Sequence, residues 1–357
     1  MVKSIKNLSS VTVVGLDIAK NVFQVHGVDA AGAVVIAKPV RRGQLLSFFA
    51  GLPPCLIGIE ACSSAHHWAR SLIDIGHQVK LLPPAYVKPY VRRNKNDAAD
   101  AAAICEAVGR PSMRFVPVRS VENQAQLMRH RARELLAGNR TRMLNGLRGH
   151  LAEIGVVAAQ GAQHAYGLKR LLIDGADENG EVVVPDSVRQ ALAPLVRQID
   201  AIDAAIAAID DEIKALVKAD ETARRLMTIP GVGPITASAI VATVQETSAF
   251  ANGREFAAFL GLTPRQNSSG GKERLGRITK MGDRYLRKLL VVGACATLIH
   301  RKGHHDALRV WADQLLARKT VEYKFKLTAV ALANKVARIV FALMTHGGQY
   351  NERPVAA

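Results

Sequence analysis

Apolar and polar positions between residues 11 and 40 fall into three short runs, VTVVGLDI, VFQVHGVD and AVVIAKPV, broken at Ala19-Lys20-Asn21 and Ala30-Ala31-Gly32. Runs of this length with breaks this short predict three strands joined by hairpins. A helix pattern follows over residues 44–50, then an apolar strand at 55–60. Next come a helix through His67, Trp68, Leu72 and Ile73 and a strand HQVKLLPP. Residues 119–151 read as a basic helix with Arg129, Arg131, Arg133, Arg140, Arg142 and Arg148, and residues 155–185 as irregular and turn-rich. Leu192, Leu195, Ile199, Ile202, Ile206, Ile209, Ile213 and Leu216 then step by threes and fours. Such a heptad seam requires a partner helix, either the basic helix before it or a second copy of the chain. From residue 224 the pattern is helical again, interrupted by IPGVGP and by a polar, glycine-rich loop at 264–271, and it runs to about residue 344.

A three-strand meander followed by alternating helix and strand is the element order of a ribonuclease H-like α/β sheet, an inference by fold analogy. In that sheet the acid of the first strand and the terminal acid of the fourth lie side by side. The first strand carries Asp17, a carboxylate that an apolar sheet does not accept unless it is paired, hydrogen-bonded or bound to a metal. CLIGIEAC adds Glu60, and KNDAADAAAI adds Asp97 and Asp100. A spacing of three places the last two on one face of a helix start. Each acid alone could be solvated, and Asp97 with Asp100 could simply cap the helix. Together the four predict a site for divalent metal ions.

The formal net charge of +18 in 357 residues, with 49% hydrophobic residues, excludes a disordered or fibrous chain and points to phosphate as the partner chemistry. AYVKPYVRRNKN, with Arg92, Arg93 and Lys95, reads as a strip that grips a nucleic-acid backbone. Gly231 and Gly233 in IPGVGP predict a helix-hairpin-helix-like turn whose N–H groups hold a phosphate; an ordinary glycine turn between core helices is the other reading. Arg265, Lys272, Arg274, Arg277, Lys280, Arg284, Arg287 and Lys288 form the densest basic cluster, around Ser268-Ser269-Gly270-Gly271. The four scattered cysteines and the adjacent pairs His66-His67 and His304-His305 give no metal-ligand spacing. No uncharged apolar stretch approaches the ~20 residues of a membrane span, and the N-terminus has no signal-peptide pattern. The expectation is a cytoplasmic, nucleoid-associated protein with no membrane partner.

GLDIAK, GIEACSSAHHWAR, KNDAADAAAI, IPGVGPITA and FLGLTPRQNSSGGKERLGRITKMGDRYLRKLL resemble the DEDD transposases of bacterial insertion sequences, the "one-ten" family and its "eleven-eleven" branch. The resemblance covers nearly the whole chain, least across residues 155–192. It implies a RuvC-like catalytic domain at 1–115, a helical, coiled-coil connector at 116–222 and a mainly α C-terminal transposase domain at 223–357. Carried over by motif, Asp17, Glu60, Asp97 and Asp100 are the catalytic metal ligands, for Mg²⁺, as two ions, with Mn²⁺ able to substitute. The nucleophilic serine best fits Ser269, with Ser268 adjacent. The resemblance also implies DNA partners (element ends and target), a structured guide RNA in some members, and dimers assembling to tetramers in which the serine approaches another subunit's acids. The implied activity is cutting and rejoining DNA through a phosphoserine link. A RuvC-like nuclease or resolvase without a serine intermediate is the nearest rival. An actin-like kinase, for which the turn Ile18-Ala19-Lys20 lacks a phosphate-binding sequence, and a non-enzymatic basic scaffold are more distant.

Overall fold

The computed structural model describes residues 8–91, 96–303, 306–318 and 323–350. The chain forms two compact units, Met1–Gln124 and Ala125–Ala357. In the first, β1 (Val11–Asp17), β2 (Val22–Asp29) and β3 (Val34–Arg41) form an antiparallel meander. There follow α1 (Leu45–Ala50), β4 (Leu56–Glu60), α2 (Ala65–Asp74), β5 (Gln78–Leu82), α3 (Pro84–Val87) and α4 (Asp97–Val108). The sheet order is β3-β2-β1-β4-β5, with β4 parallel to β1 and β5 parallel to β4. The meander and crossovers expected from the hydrophobic pattern are the ones the sheet contains.

Alternation along β1 and β4 sorts their residues between two layers. Val14, Leu16, Ile57 and Ile59 are fully buried on the face that receives α1 and α2, where Trp68 meets Phe23 edge-on with ring centroids 5.1 Å apart. The opposite face, with Val13, Gly15, Leu56 and Gly58, receives α4 through Ala103, Ile104, Ala107 and Val108. Both faces of the central strands are covered, so near-continuous apolar runs serve where a one-sided sheet would show strict alternation.

The second unit contains α5 (Val121–Glu153, from Ala125 on), α6 (Ala162–Asp174), α7 (Asp186–Ala219), α8 (Glu221–Leu226), α9 (Pro234–Thr243) and α10 (Gly253–Phe259). A hairpin of β6 (Pro264–Gln266) and β7 (Leu275–Ile278) precedes α11 (Arg284–Ile299), α12 (Ala307–Ala317) and α13 (Lys324–His346). α5 and α7 run antiparallel, as the descending order of their ion pairs shows: Arg129 with Glu212 (2.9 Å), Arg133 with Asp210, and Arg140 with Asp203 (3.1 Å). Three of the six arginines read as a basic face are therefore matched by acids within the same chain. The heptad seam is divided between two cores. Leu192 and Ile199 pack with Leu144, Leu147 and Leu151 of α5, whereas Ile213 joins the core of the C-terminal helices.

Two segments differ from the pattern read along the chain. Residues 162–174, expected to be irregular, form α6: Ala165, Leu168 and Leu172 make a buried stripe against α5 and α7, and Gly175 at φ 87° closes the helix with its N–H on the Leu171 carbonyl. Residues 264–271, expected to be a loop, begin with β6 and form the first half of the β6–β7 hairpin. α13 is long and apolar enough by length and composition to cross a membrane. One face of it, including Ala329, Leu332, Ala333, Val336 and Val340, is buried in the core of the second unit.

Candidate active site

Gly15-Leu16-Asp17 and Gly58-Ile59-Glu60 repeat one pattern, and the parallel register pairs Gly15 with Gly58 and Leu16 with Ile59. Extending that register by one residue brings Asp17 and Glu60 abreast at the carboxyl ends of the two central strands. Because residues two apart share a strand face, both acids lie on the face that carries α4. The glycines let α4 come close. A β-carbon on Gly15 would stand 2.1 Å from the Ala101 carbonyl oxygen and 2.4 Å from the Cys105 nitrogen. On Gly58 it would meet the Val108 and Ile104 side chains at 2.8 and 3.1 Å. The Cys105 thiol also reaches the Val13 carbonyl at 3.7 Å. Moving from Cys105 to Ala101 thus follows β1 from Val13 to Gly15, and one further turn, about 5.4 Å, carries the helix start toward the level of Asp17. Asp97 and Asp100 occupy that turn.

Neither acid caps α4. Asn96 does so, its side chain accepting from the Ala99 N–H at 2.8 Å. The capping explanation for Asp97 is therefore removed. Asp17 and Glu60 are half-buried, Asp100 is half-buried and Asp97 is exposed. Asp17, Glu60 and Asp100 all have polar or charged partners, as carboxylates at the edge of an apolar core require. Among the described residues, no three His, Cys, Asp or Glu side chains are drawn together as a ready-made metal-ligating group. The donor set is hard oxygen on one end of one sheet face, the chemistry Mg²⁺ prefers. Gly15 and Gly58 are positioning residues that the sequence reading passed over. The repeated Gly-apolar-acid triplet was the available signal.

The polar segment of the second unit has a defined geometry. Gly270 and Gly271, at φ 56° and 76°, form a two-residue turn between Ser269 and Lys272, which make an isolated bridge. Successive positive φ angles match the right-handed twist of a tight hairpin, and glycine adopts them without strain. The Ser268 hydroxyl accepts from the Arg274 N–H at 3.1 Å. Ser269 is exposed, and among the described residues its hydroxyl makes no side-chain hydrogen bond. Lys272, Arg274, Arg277, Lys280 and Arg284, which follow it along the chain, are exposed. Arg265 donates to the Thr279 carbonyl at 3.4 Å. Arg287 directs its guanidinium to the carbonyls of Leu260 (2.9 Å) and Met281 (3.1 Å), so it supports the base of the hairpin. Arg92, Arg93 and Lys95 lie outside the described residues.

IPGVGP joins α8 to α9. Gly231, at φ 84°, is pressed against α11: a β-carbon there would lie 2.6 Å from the Gly293 carbonyl, and one on Gly293 would lie 2.0 Å from the Gly231 carbonyl. That reciprocal contact accounts for Gly231 by packing. Gly233 is exposed at the mouth of α9 with open space around it.

Histidine contributes more to the interior than its scattered spacing suggests. His66 and His77 are buried, His77 within 3.4 Å of the Cys55 sulfur. His130 on α5 is buried between Ser238 Oγ at 3.0 Å and Tyr285 Oη at 3.2 Å, joining α5 to α9 and α11. Burial, reinforced by the Arg133 guanidinium, pushes its pKa down to about 4, against a smaller opposing pull from Asp210. Burial raises the Tyr285 phenol to about 12.

Residues 14–156 match the model of the IS110-type DEDD family, described as Transposase, and residues 223–309 match the one described as Transposase IS116/IS110/IS902 family. The chain is 45% identical over 332 residues to a protein of Pseudomonas aeruginosa described as a probable family 20 transposase, covering 93% of this chain and 96% of that one. It is 39% identical to the transposase for insertion sequence element IS1111A of Coxiella burnetii, covering 97% and 93%. Against the transposase for IS1328 of Yersinia enterocolitica it is 38% identical, covering 97% and 100%. An acid-bearing mixed α/β unit followed by a basic, mainly helical one is thus that of a DNA transposase. More narrowly, the chain belongs to the IS110/IS116/IS902 family of insertion-sequence transposases.

Proposed function

We propose that this transposase cuts and rejoins DNA strands using Asp17, Glu60, Asp97 and Asp100 as Mg²⁺ ligands and Ser269 as nucleophile. The observation that carries the reading is the parallel pairing of Leu16 with Ile59, which sets the next residues, Asp17 and Glu60, abreast on the face that carries α4, in a sheet whose β3-β2-β1-β4-β5 order is that of ribonuclease H-like enzymes. Bound at these four carboxylates, a pair of Mg²⁺ ions would offset charge on the attacking and leaving oxygens of an in-line displacement, with Mn²⁺ able to replace them.

Ser269 is favoured over Ser268 because its hydroxyl is not engaged in holding the hairpin. Its Oγ forms a bond to phosphorus as the bond from phosphorus to the departing strand's oxygen breaks. The hydroxyl proton leaves with that strand. The phosphoserine diester retains the bond energy, and attack by an incoming strand's hydroxyl restores Ser269. A free serine hydroxyl is a weak nucleophile; the exposed Lys272, Arg274 and Arg277 would stabilise the developing charge. Gly233, Arg265, Lys280 and Arg284 would bind the DNA backbone, as would Arg92, Arg93 and Lys95. A guide RNA, the coiled-coil role of the connector, the assembly of dimers to tetramers and a serine approaching another subunit's acids are carried by the family resemblance alone.

The test is incubation of the full-length protein with DNA bearing the element's ends, the flanking-region RNA and Mg²⁺, followed by denaturing electrophoresis and peptide mapping. A covalent protein–DNA adduct mapping to Ser269 and lost in Ser269→Ala is expected. Cleavage that persists in Ser269→Ala without an adduct would identify a metal-dependent nuclease instead.

A further inference from the structure

The second unit contains a cleft of about 1360 Å³ whose walls come from the start of α10, one face of α13, Trp311 of α12 and the two ends of the hairpin, Pro264 and Ile278. Its rim carries Arg254, Lys335 and Arg338. Among the described residues no carboxylate lines it, and none of these cations has an ion-pair partner, although most other arginines of this unit that touch its helices are matched by an acid or a carbonyl. Lys335 and Arg338 are one turn apart on α13, a spacing at which like charges repel. Lys335 stands over Trp311, with Nζ 4.2 Å from the ring centroid. Burial, with Arg338 beside it, lowers the Lys335 pKa. A β-carbon on Gly253 would stand 3.3 Å from the Arg338 Cα, so the start of α10 passes close to α13, and Arg254 and Arg338 line the same cleft. Cations without acid partners around a concave apolar floor favour an anion with an apolar body.

We infer that this cleft binds single-stranded DNA, with phosphates on Arg254, Lys335 and Arg338 and bases against the apolar floor. Charge excludes an acid-free alternative such as a basic or neutral peptide. Shape selects the single strand: a positively charged groove with an aromatic side chain fits unstacked bases, whereas duplex DNA is read by elements that protrude into its grooves. Continuity with the hairpin selects the DNA being processed. Ser269 lies five residues from Pro264 along the hairpin, roughly 16 Å of extended chain. An unstacked strand spans more per nucleotide than the ~3.4 Å of a stacked one, so the bound nucleotides lie within about five positions of the phosphate that Ser269 would attack. Only that spacing rests on the serine reading; binding in the cleft does not.

The experiment uses the full-length protein, an oligothymidylate single strand, the matching duplex and an RNA single strand of the same length. Binding is followed by fluorescence anisotropy across a salt series. Arg254→Gln, Lys335→Gln and Arg338→Gln should each weaken single-stranded DNA binding about five- to tenfold and reduce the salt slope by ~0.7, with duplex binding unchanged. Lys335→Arg should restore affinity. Trp311 and Trp68 are the only tryptophans, so single-strand binding should change the emission of the wild type and not that of Trp311→Phe. Unchanged affinity and slope in Arg254→Gln, an exposed position tolerant of substitution, would overturn the assignment. So would equal loss of duplex binding, or tighter binding of the RNA through the same residues. A missing Ser269 adduct would count against the serine reading and leave this result standing.

Discussion

A β-carbon on Gly15 would fall 2.1 Å from the carbonyl oxygen of Ala101, so the approach of α4 to the central strand depends on the absence of one methyl group. Backbone cannot move aside as a flexible side chain can. Gly15→Ala should therefore displace α4 and cost about 1–3 kcal/mol or more. Urea denaturation would measure it. Gly109→Ala, with open space around it and φ −83°, should leave the midpoint unchanged.

Displacing α4 would also carry Asp97 and Asp100 away from Asp17 and Glu60. Asp17→Asn, Glu60→Gln, Asp97→Asn and Asp100→Asn should each reduce Mg²⁺-dependent strand cleavage by about 100-fold or more while leaving the circular dichroism spectrum intact. Mg²⁺ should raise the melting temperature of the wild type and do so less in each variant. Equal protection by Mg²⁺ across all four would remove these acids from the metal site.

The two serines at the hairpin tip should separate by function. Ser268→Ala loses the hydrogen bond to the Arg274 N–H, a local loss of about 1 kcal/mol, and should retain the covalent adduct. Replacing Gly270 by Val puts a β-branched residue at φ 56°. Adduct formation should then fall even though Ser269 is present. Peptide mapping of the trapped complex reads both outcomes.

His130 makes stability depend on pH in a definite direction. Its pKa in the folded protein is about 4, below the ordinary 6.5, so between these values the unfolded chain binds the extra proton. Stability is complete above pH 6.5, falls as pH drops toward 4, and is flat below that as far as this group is concerned. The shift corresponds to roughly 3 kcal/mol at most. His130→Gln should flatten the urea midpoint over that window. A midpoint equally steep in both proteins would assign the dependence to other groups.

Legibility differed between the units for physical reasons. β1 and β4 were readable because burial on both faces forces apolar runs, and a carboxylate at the end of such a run stands out. The register of Asp17 with Glu60 needed only parallel pairing, which the meander and crossover imply. α6 was hidden because its buried stripe of Ala165, Leu168 and Leu172 is short and lies among turn residues. β6 and β7 were hidden because they are largely exposed, and strands without a buried face carry no alternation. Arg287 and Gly231 read as phosphate binders, yet the fold uses Arg287 to hold two carbonyls and Gly231 to admit α11.

The sequence by itself determined where the candidate acids stand, because a charged side chain in an apolar run is visible without coordinates. It also determined the element order of the first unit. Only tertiary structure decided that Asn96, and not Asp97, caps α4, that three arginines of α5 are matched by acids of α7, and that Ser269 rather than Ser268 has its hydroxyl unengaged. Those outcomes depend on which of several chemically equivalent groups comes within hydrogen-bonding distance. Residue type fixes what a group can bond to, while packing fixes what it meets.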